Sequence, residues 1–508
     1  MKKLFIILLA SIGMLTSCFE DHSTLADELI PDITIQEFPQ SEYSFISFAG
    51  NYLDIEPTIL TQYPEDQLQY EWRMIDNTAL SMADDADTYE PELIAVTKNL
   101  HYNIKLSPGS YIIYLKVKAQ NGYSVTRKTS LYVTTQFSDG FYILKETPQG
   151  DTDIDMAHPT KNIFLQDILM TLRGAPMDGA PEAISTTISQ GYIDDDTNQT
   201  GVSNVITVTT QKGEISVMRT SDLKEVFTAS NLLFTQFDED EKPYKLVQCM
   251  WSNVLMTNKG IRSQYQSELG KGESGKYGIT NGIPTDRYAA FEPNSSYLFL
   301  WDAGSKNVVT CDYNGTVRYG SKEDNALGTL NVYDCLFIGY SKVADRIVYV
   351  LRHRMGTIWL MTIQAAFSSG WHMDELKPIR AYAPNCSAAT KYALCATEAT
   401  VLYGVADGKL WAYDYMNNLE KQIKPLGIAD DERITYVSDQ WNSAYSSEND
   451  YLIIGTQKDE NYTLRFYSNF GGLPDGGPLY TVSGKGTVRG IRFTDNNGSN
   501  YNQAGLMD

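Results

Sequence analysis

Five short segments share one shape: GEISVM at Gly213, GTVRYG at Gly315, GTIWLM at Gly356, GKLWAY at Gly408 and GTVRGI at Gly486. Each sets a glycine before alternating apolar residues, the pattern of a tight turn that feeds a β-strand. Apolar strands begin near Tyr142, Ile206, Val247, Leu298, Ile347, Val401 and Leu452, a step of about fifty residues. Strands recurring at that period cannot bury both faces alone, and stacking them radially as propeller blades is the usual solution. The expectation for residues 137–508 is therefore a β-propeller of about seven blades, with a pair of β-sandwiches as the competing arrangement.

Residues 33–136 have a different rhythm. In LQYEWRM the side chains of Leu68, Tyr70, Trp72 and Met74 fall on one face, and in YIIYLKVKA those of Ile113, Leu115, Val117 and Ala119 do the same. Asn121-Gly122 supplies a two-residue hairpin turn before YSVTRKTSLYVTT. Short strands with turn signals over about a hundred residues predict an immunoglobulin-like sandwich with Trp72 inside, without a cysteine pair to staple it. The fold class expected for the chain is all-β.

Before the sandwich, Lys2 and Lys3 precede the apolar run LFIILLASIGML, and the small Ser17 precedes Cys18. Residues 1–17 read as a secretion signal, too short to span a bilayer as a helix. Residues 18–32 are polar and read as a tether. The chain carries 63 acidic and 41 basic side chains, a formal charge of −22. A body this anionic is a poor candidate for nucleic acid or anionic headgroups. Five cysteines remain besides Cys18: Cys249, Cys311, Cys335, Cys386 and Cys395. An odd number cannot all pair, and their apolar surroundings favour buried thiols; a Cys386–Cys395 bridge stays open.

Leu15-Thr16-Ser17-Cys18 resembles the lipobox of bacterial lipoproteins, which implies acylation at Cys18 and a membrane-held body. Together with the YEW strand and the junction SDGFYILKETPQGDTDIDM, it resembles the PKD-like family of outer-membrane lipoproteins. The sequence departs from true PKD domains in lacking a WDFGDG turn, so no calcium or glycan role transfers from them. The resemblance implies a place beside SusC/SusD-type nutrient importers. Glu20 and Asp21 resemble the acidic tag that sends such lipoproteins to the exterior face.

Motifs for chemistry are weak. GKGESGKY, residues 270–277, imitates a phosphate loop, but Tyr277 stands where a magnesium-binding Ser or Thr belongs. Asp151, Asp153 and Asp155 lack the glycine and bidentate acid of a calcium loop, and strand alternation places them on a solvated face. Asp194 to Asp196 and DEDE at 238–241 read as solvated loop charge. His353 and His372 have no zinc spacing, and no serine-nucleophile elbow is present. No cofactor, metal or catalytic residue is expected; a carboxylate pair assembled by the fold would be invisible at this level.

Binding has more support. Residues 262–288 read as a long glycine-rich connection without strand rhythm, carrying Tyr265, Tyr277 and Tyr288. Trp371 in SSGWHMDE, and Trp441 with Tyr445 in SDQWNSAYSSEND, stand in polar loop contexts, unlike Trp359 and Trp411 in strands. These six aromatic residues are the candidate ligand contacts. The functional expectation is an accessory lipoprotein that captures oligosaccharide or peptide. The alternatives are a propeller hydrolase or a docking protein with no ligand.

Overall fold

The computed structural model describes residues 33–46, 51–77, 90–106, 108–195, 198–249, 252–264, 275–292, 297–312, 315–319, 330–366, 370–440 and 450–494. Cys18, Tyr265, Trp441 and Tyr445 lie outside them.

Alternation builds the first region as expected. A five-stranded sheet runs in the order Glu42–Ile46, Ser124–Thr134, Gly109–Ala119, Leu68–Asp76 and Glu92–Ala95. Its first pair is parallel and the rest are antiparallel. Two further pairs, Ile33–Ile35 with Ile59–Thr61 and Tyr52–Ile55 with Leu100–Asn103, add Ile33, Ile35, Leu53, Ile55 and Leu100 to the same core. Trp72 is fully buried there, and its indole N–H donates to the carbonyls of Thr97 and Lys98 at 2.9 and 3.2 Å. Gly122 takes a φ of 91°, which the hairpin turn requires of it.

Between residues 140 and 494 the described residues form seven four-stranded antiparallel sheets. The second to seventh sheets each use four consecutive strands and span residues 181–228, 243–280, 285–319, 333–378, 391–423 and 433–485. The first sheet is composite: Gly140–Glu146, Thr152–His158 and Ile163–Leu165 take their innermost strand, Thr487–Thr494, from the far end of the region. Each sheet's innermost strand contacts those of its two neighbours, so the ring closes around a central channel. This is a β-propeller, closed by pairing early and late segments of the chain.

The recurring features map onto it unevenly. Six of the seven expected apolar starts fall in the second strand from the channel, the exception being Val247 in an innermost strand. A second strand is paired on both edges and packed on both faces, so its run is continuously apolar. The glycine turns are less regular. Gly213, Gly356 and Gly408 precede third strands, Gly315 precedes a fourth, and Gly486 precedes the closing innermost strand. All five have positive φ, between 73° and 106°. Turn chemistry fixes the glycine; it does not fix the strand's place in the blade.

Strand pairing and burial correct two expectations. The connection 262–288 contains the strand Tyr277–Thr280, most of Gly260–Gln264 and half of Thr285–Glu292; the first two pair with each other and the outer ones with strands beyond the segment. Asp153 and Asp155 are buried at 1% and 0% exposure instead of lining a wet face. Asp153 accepts the backbone N–H groups of Ile154 and Leu169 at 2.7 and 2.9 Å, and Asp155 pairs with Lys145 at 2.6 Å. Their oxygens are thus committed to the protein. The cysteines Cys249, Cys311, Cys335, Cys386 and Cys395 are all buried free thiols.

Charges inside the ring occur as matched sets. In the third sheet Arg262 donates to Glu241 through Nε at 2.9 Å, while Thr257 donates to the same carboxylate at 2.8 Å. The seventh sheet repeats this: Arg465 forms two bonds to Glu432, at 2.8 and 2.9 Å, and Thr456 donates as well. In both, the acid precedes the innermost strand, Thr is on the second and Arg on the third. Burial alone would raise the Glu241 and Glu432 carboxyls, but the arginine hydrogen bonds bring both below their ordinary range.

Candidate functional site

A cavity of about 310 Å³ opens at the end of the channel where the innermost strands begin. The first, second, fourth, fifth and sixth sheets all contribute to it. Since blades carry this position at the same place in each repeat, side chains distant in sequence converge without a shared motif.

The polar lining is organised as ion pairs. Arg287 Nη1 lies 3.1 Å from Glu182 Oε1, and Arg489 Nε donates to Glu146 Oε2 at 2.9 Å. Lys391 sits with Nζ 5.1 Å from the centroid of the Tyr436 ring, a cation–π geometry. Burial raises the carboxyl of Glu182 above its usual value, partly offset by Arg287, and burial likewise raises Asp286 beside it. Tyr288 and Tyr392 line the same cavity. Burial pushes the Tyr288 hydroxyl up to about 12, so it remains a neutral donor and acceptor at physiological pH. The Tyr392 hydroxyl donates to the Cys386 carbonyl at 3.0 Å, fixing the ring.

Both carboxylates in the lining lie beside an arginine, Glu182 beside Arg287 and Glu146 beside Arg489. The half-buried Tyr288 ring offers an apolar face beside a polar edge, the combination used to orient polar ligands, while Tyr392 is buried and backs the cavity.

Of the aromatic residues expected from sequence, Tyr288 alone among the described ones lines this cavity. Tyr277 is fully buried, with its hydroxyl donating to Gln190 Oε1 at 2.9 Å, in the core between the second and third sheets. Trp371 is 2% exposed and packs with Trp301 and Tyr349, because the polar sequence around it begins an outer strand, Gly370–Pro378, instead of forming a loop. Both belong to the core and are not open ligand contacts. Sequence reasoning missed Glu146, Glu182, Arg287, Lys391, Tyr392 and Arg489. Their signal was positional: the innermost-strand residues among them precede or follow a recurring apolar strand by a short turn, with no unusual local composition.

Comparison with known proteins gives partial likenesses. Residues 18–181 match the PKD-like family. No curated protein matches the chain. Among solved structures, an auxiliary nutrient binding protein from Bacteroides thetaiotaomicron is 9% identical, with 86% of this chain and 84% of that chain covered and a TM-score of 0.28. A protein named provisionally as a 6-phosphogluconolactonase, from Bacteroides uniformis, is 10% identical over 70% of this chain and 99% of that chain, with a TM-score of 0.39. The WD40 β-propeller domain of Doa1 is 11% identical over 65% of this chain and 90% of that chain, with a TM-score of 0.34. With every TM-score below 0.5, none of these three likenesses carries an inference about what the chain does.

Proposed function

We propose that this chain is an outer-membrane lipoprotein, acylated at Cys18 and facing the exterior, that binds an oligosaccharide or peptide nutrient without transforming it, as an accessory subunit of a SusC/SusD-type importer. The observation that carries the binding role is the channel mouth, where the half-buried Tyr288 ring lines the same cavity as two carboxylates beside Arg287 and Arg489. The lipobox supports the anchoring, and the PKD-like match over residues 18–181 supports the importer setting. A lipid anchor at Cys18 would hold the body close to the bilayer, with the polar residues 18–32 between lipid and fold.

Anchoring and facing are tested together by growing cells with an alkyne-bearing fatty acid and shaving intact cells with protease. The labelled chain should be cleaved in intact cells, and Cys18→Ala should lose the label. Label retained by Cys18→Ala, or full protection from protease, overturns the reading. The hydrolase alternative predicts product release from a neutral oligosaccharide, abolished by Glu182→Gln. The binding role predicts no turnover in either form.

A further inference from the structure

A second cleft, of about 410 Å³, lies between the sandwich and the second sheet of the propeller. Clefts between folded units are preferred ligand sites, and this volume falls in the usual range of roughly 300–1,000 Å³. The sandwich contributes Ser110 and Tyr132, and the second sheet contributes Ser189, Tyr192, Asn204 and Asp222.

Backbone irregularities shape the propeller side. The strand Pro181–Asp194 has a register shift between Thr187 and Gln190, and Ser189 there adopts a φ of 54°. The bulge turns Gln190 into the core, where its Nε2 donates to the Gly275 carbonyl at 2.9 Å, and leaves Ser189 exposed at the cleft. The Tyr192 ring lies so close over Gly201 that a Cβ at Gly201 would sit 2.5 Å from the ring. Arg219 also holds that ring, 5.5 Å from its centroid, and donates to its hydroxyl at 3.0 Å.

The joint is pinned as well. Thr135 Oγ1 donates to the Ser221 carbonyl, Ser138 Oγ accepts the Thr135 N–H at 2.9 Å, and Tyr142 donates to the Phe137 carbonyl at 2.6 Å. A cleft held by such short-range bonds is preformed, which limits the ordering cost of binding.

We infer that this cleft is a binding site for a neutral, polyhydroxylated ligand, a short sugar chain. Ser110, Ser189, Asn204 and Asp222 place hydroxyl, amide and carboxylate groups in its lining beside the half-buried Tyr132 ring, matching the wet edges and apolar face of a sugar ring. Its guanidinium is already engaged: Arg219 Nε donates to Asp222 Oδ1 at 3.0 Å, and Asp194 lies 3.4 Å from Nη1. An anionic ligand, or a peptide's terminal carboxylate, would meet a cation already neutralised. The site is separate from the channel mouth and does not rest on the importer role.

The test is calorimetric titration of the full-length mature lipoprotein in detergent with maltohexaose, cellohexaose, xylohexaose and mannohexaose, and with hexaalanine as the peptide probe. At least one sugar should bind. Tyr132→Ala should weaken it at least tenfold, and so should Val202→Trp, which fills the cleft from a position 41% exposed and should leave the thermal transition in place. Binding of hexaalanine alone, binding of no sugar, or sugar binding indifferent to both cleft variants overturns the proposal. Sugar binding lost in Arg489→Ala but normal in both cleft variants overturns it too, by moving the sugar to the channel mouth.

Discussion

The sandwich and the propeller are both all-β, yet they handle polarity in opposite ways. In the sandwich one face of each long strand is buried and the other is more open, so from Tyr111 onward Gly109–Ala119 alternates buried residues with more exposed ones. Its ion pairs, such as Arg127 with Glu37 at 3.0 Å, are exposed. In the propeller each sheet is covered on both faces by its neighbours, and all seven residues of Thr152–His158 are buried. A charged group placed there must bring partners with it, a countercharge as Lys145 does with Asp155 and Arg262 with Glu241, or hydrogen-bond donors as around Asp153. The same strand chemistry thus leaves charge to water in one region and requires internal satisfaction of it in the other.

That contrast is sharpest at the buried pairs. Arg262→Met leaves Glu241 charged and unpaired in the third sheet, which should cost about 3–5 kcal/mol of propeller stability. Chemical denaturation followed by near-ultraviolet dichroism would show it, and adding Glu241→Gln should recover most of the loss. A small effect of the single change would mean that water reaches the pair.

In the sandwich the counterpart is Trp72. Trp72→Phe removes an indole N–H bonded to two carbonyls, and should cost about 1–3 kcal/mol. Calorimetry should show one transition moved and the propeller's unchanged. A shared shift would mean that the two regions unfold as one unit.

Acidity separates the regions at smaller scale. Asp439, on the seventh sheet's innermost strand, is buried and its carboxyl is pushed up to about 6, burial outweighing the donors Ala396 N–H and Asn469 Nδ2. A raised carboxyl favours the protonated form in the fold. Its contribution is complete below the unfolded value of about 3.9 and is lost as pH rises through 6. Propeller stability should therefore fall by about 1 kcal/mol between pH 5 and 7, and Asp439→Asn should flatten that slope in a denaturation series. Glu241 and Glu432 act in the opposite sense: their lowered carboxyls give stability that is present at neutral pH and is lost as pH falls below about 4. The smallest effect belongs to the sandwich surface, where Arg127→Ala should cost only about 0–1 kcal/mol and less at high salt.

The architecture was legible because burial leaves periodic traces. Trp72 and the alternation of residues 113–119 announced the sandwich, and the second strands announced the blades, since their continuous apolar runs come from being enclosed on every side. The order of strands was less so: GTVRGI looks like the other glycine turns, yet Thr487–Thr494 pairs with Gly140–Glu146 across more than three hundred residues. Local pattern holds no record of such a closure. Tyr277 and Trp371 were misread for a related reason, because polar neighbours in sequence do not reveal that neighbouring sheets cover the ring. The charged lining of the mouth was hidden entirely, since Glu182, Arg287 and Arg489 become a site only when their strands are set in a circle.

The proposal that this is an anchored accessory subunit stands or falls on its partner. Intact lipoprotein carrying a C-terminal tag should be purified from gently solubilised outer membranes and its companions identified by mass spectrometry. SusC- and SusD-type components recovered in near-stoichiometric amounts are the predicted result. Purification of the acylated chain with neither component would contradict the account.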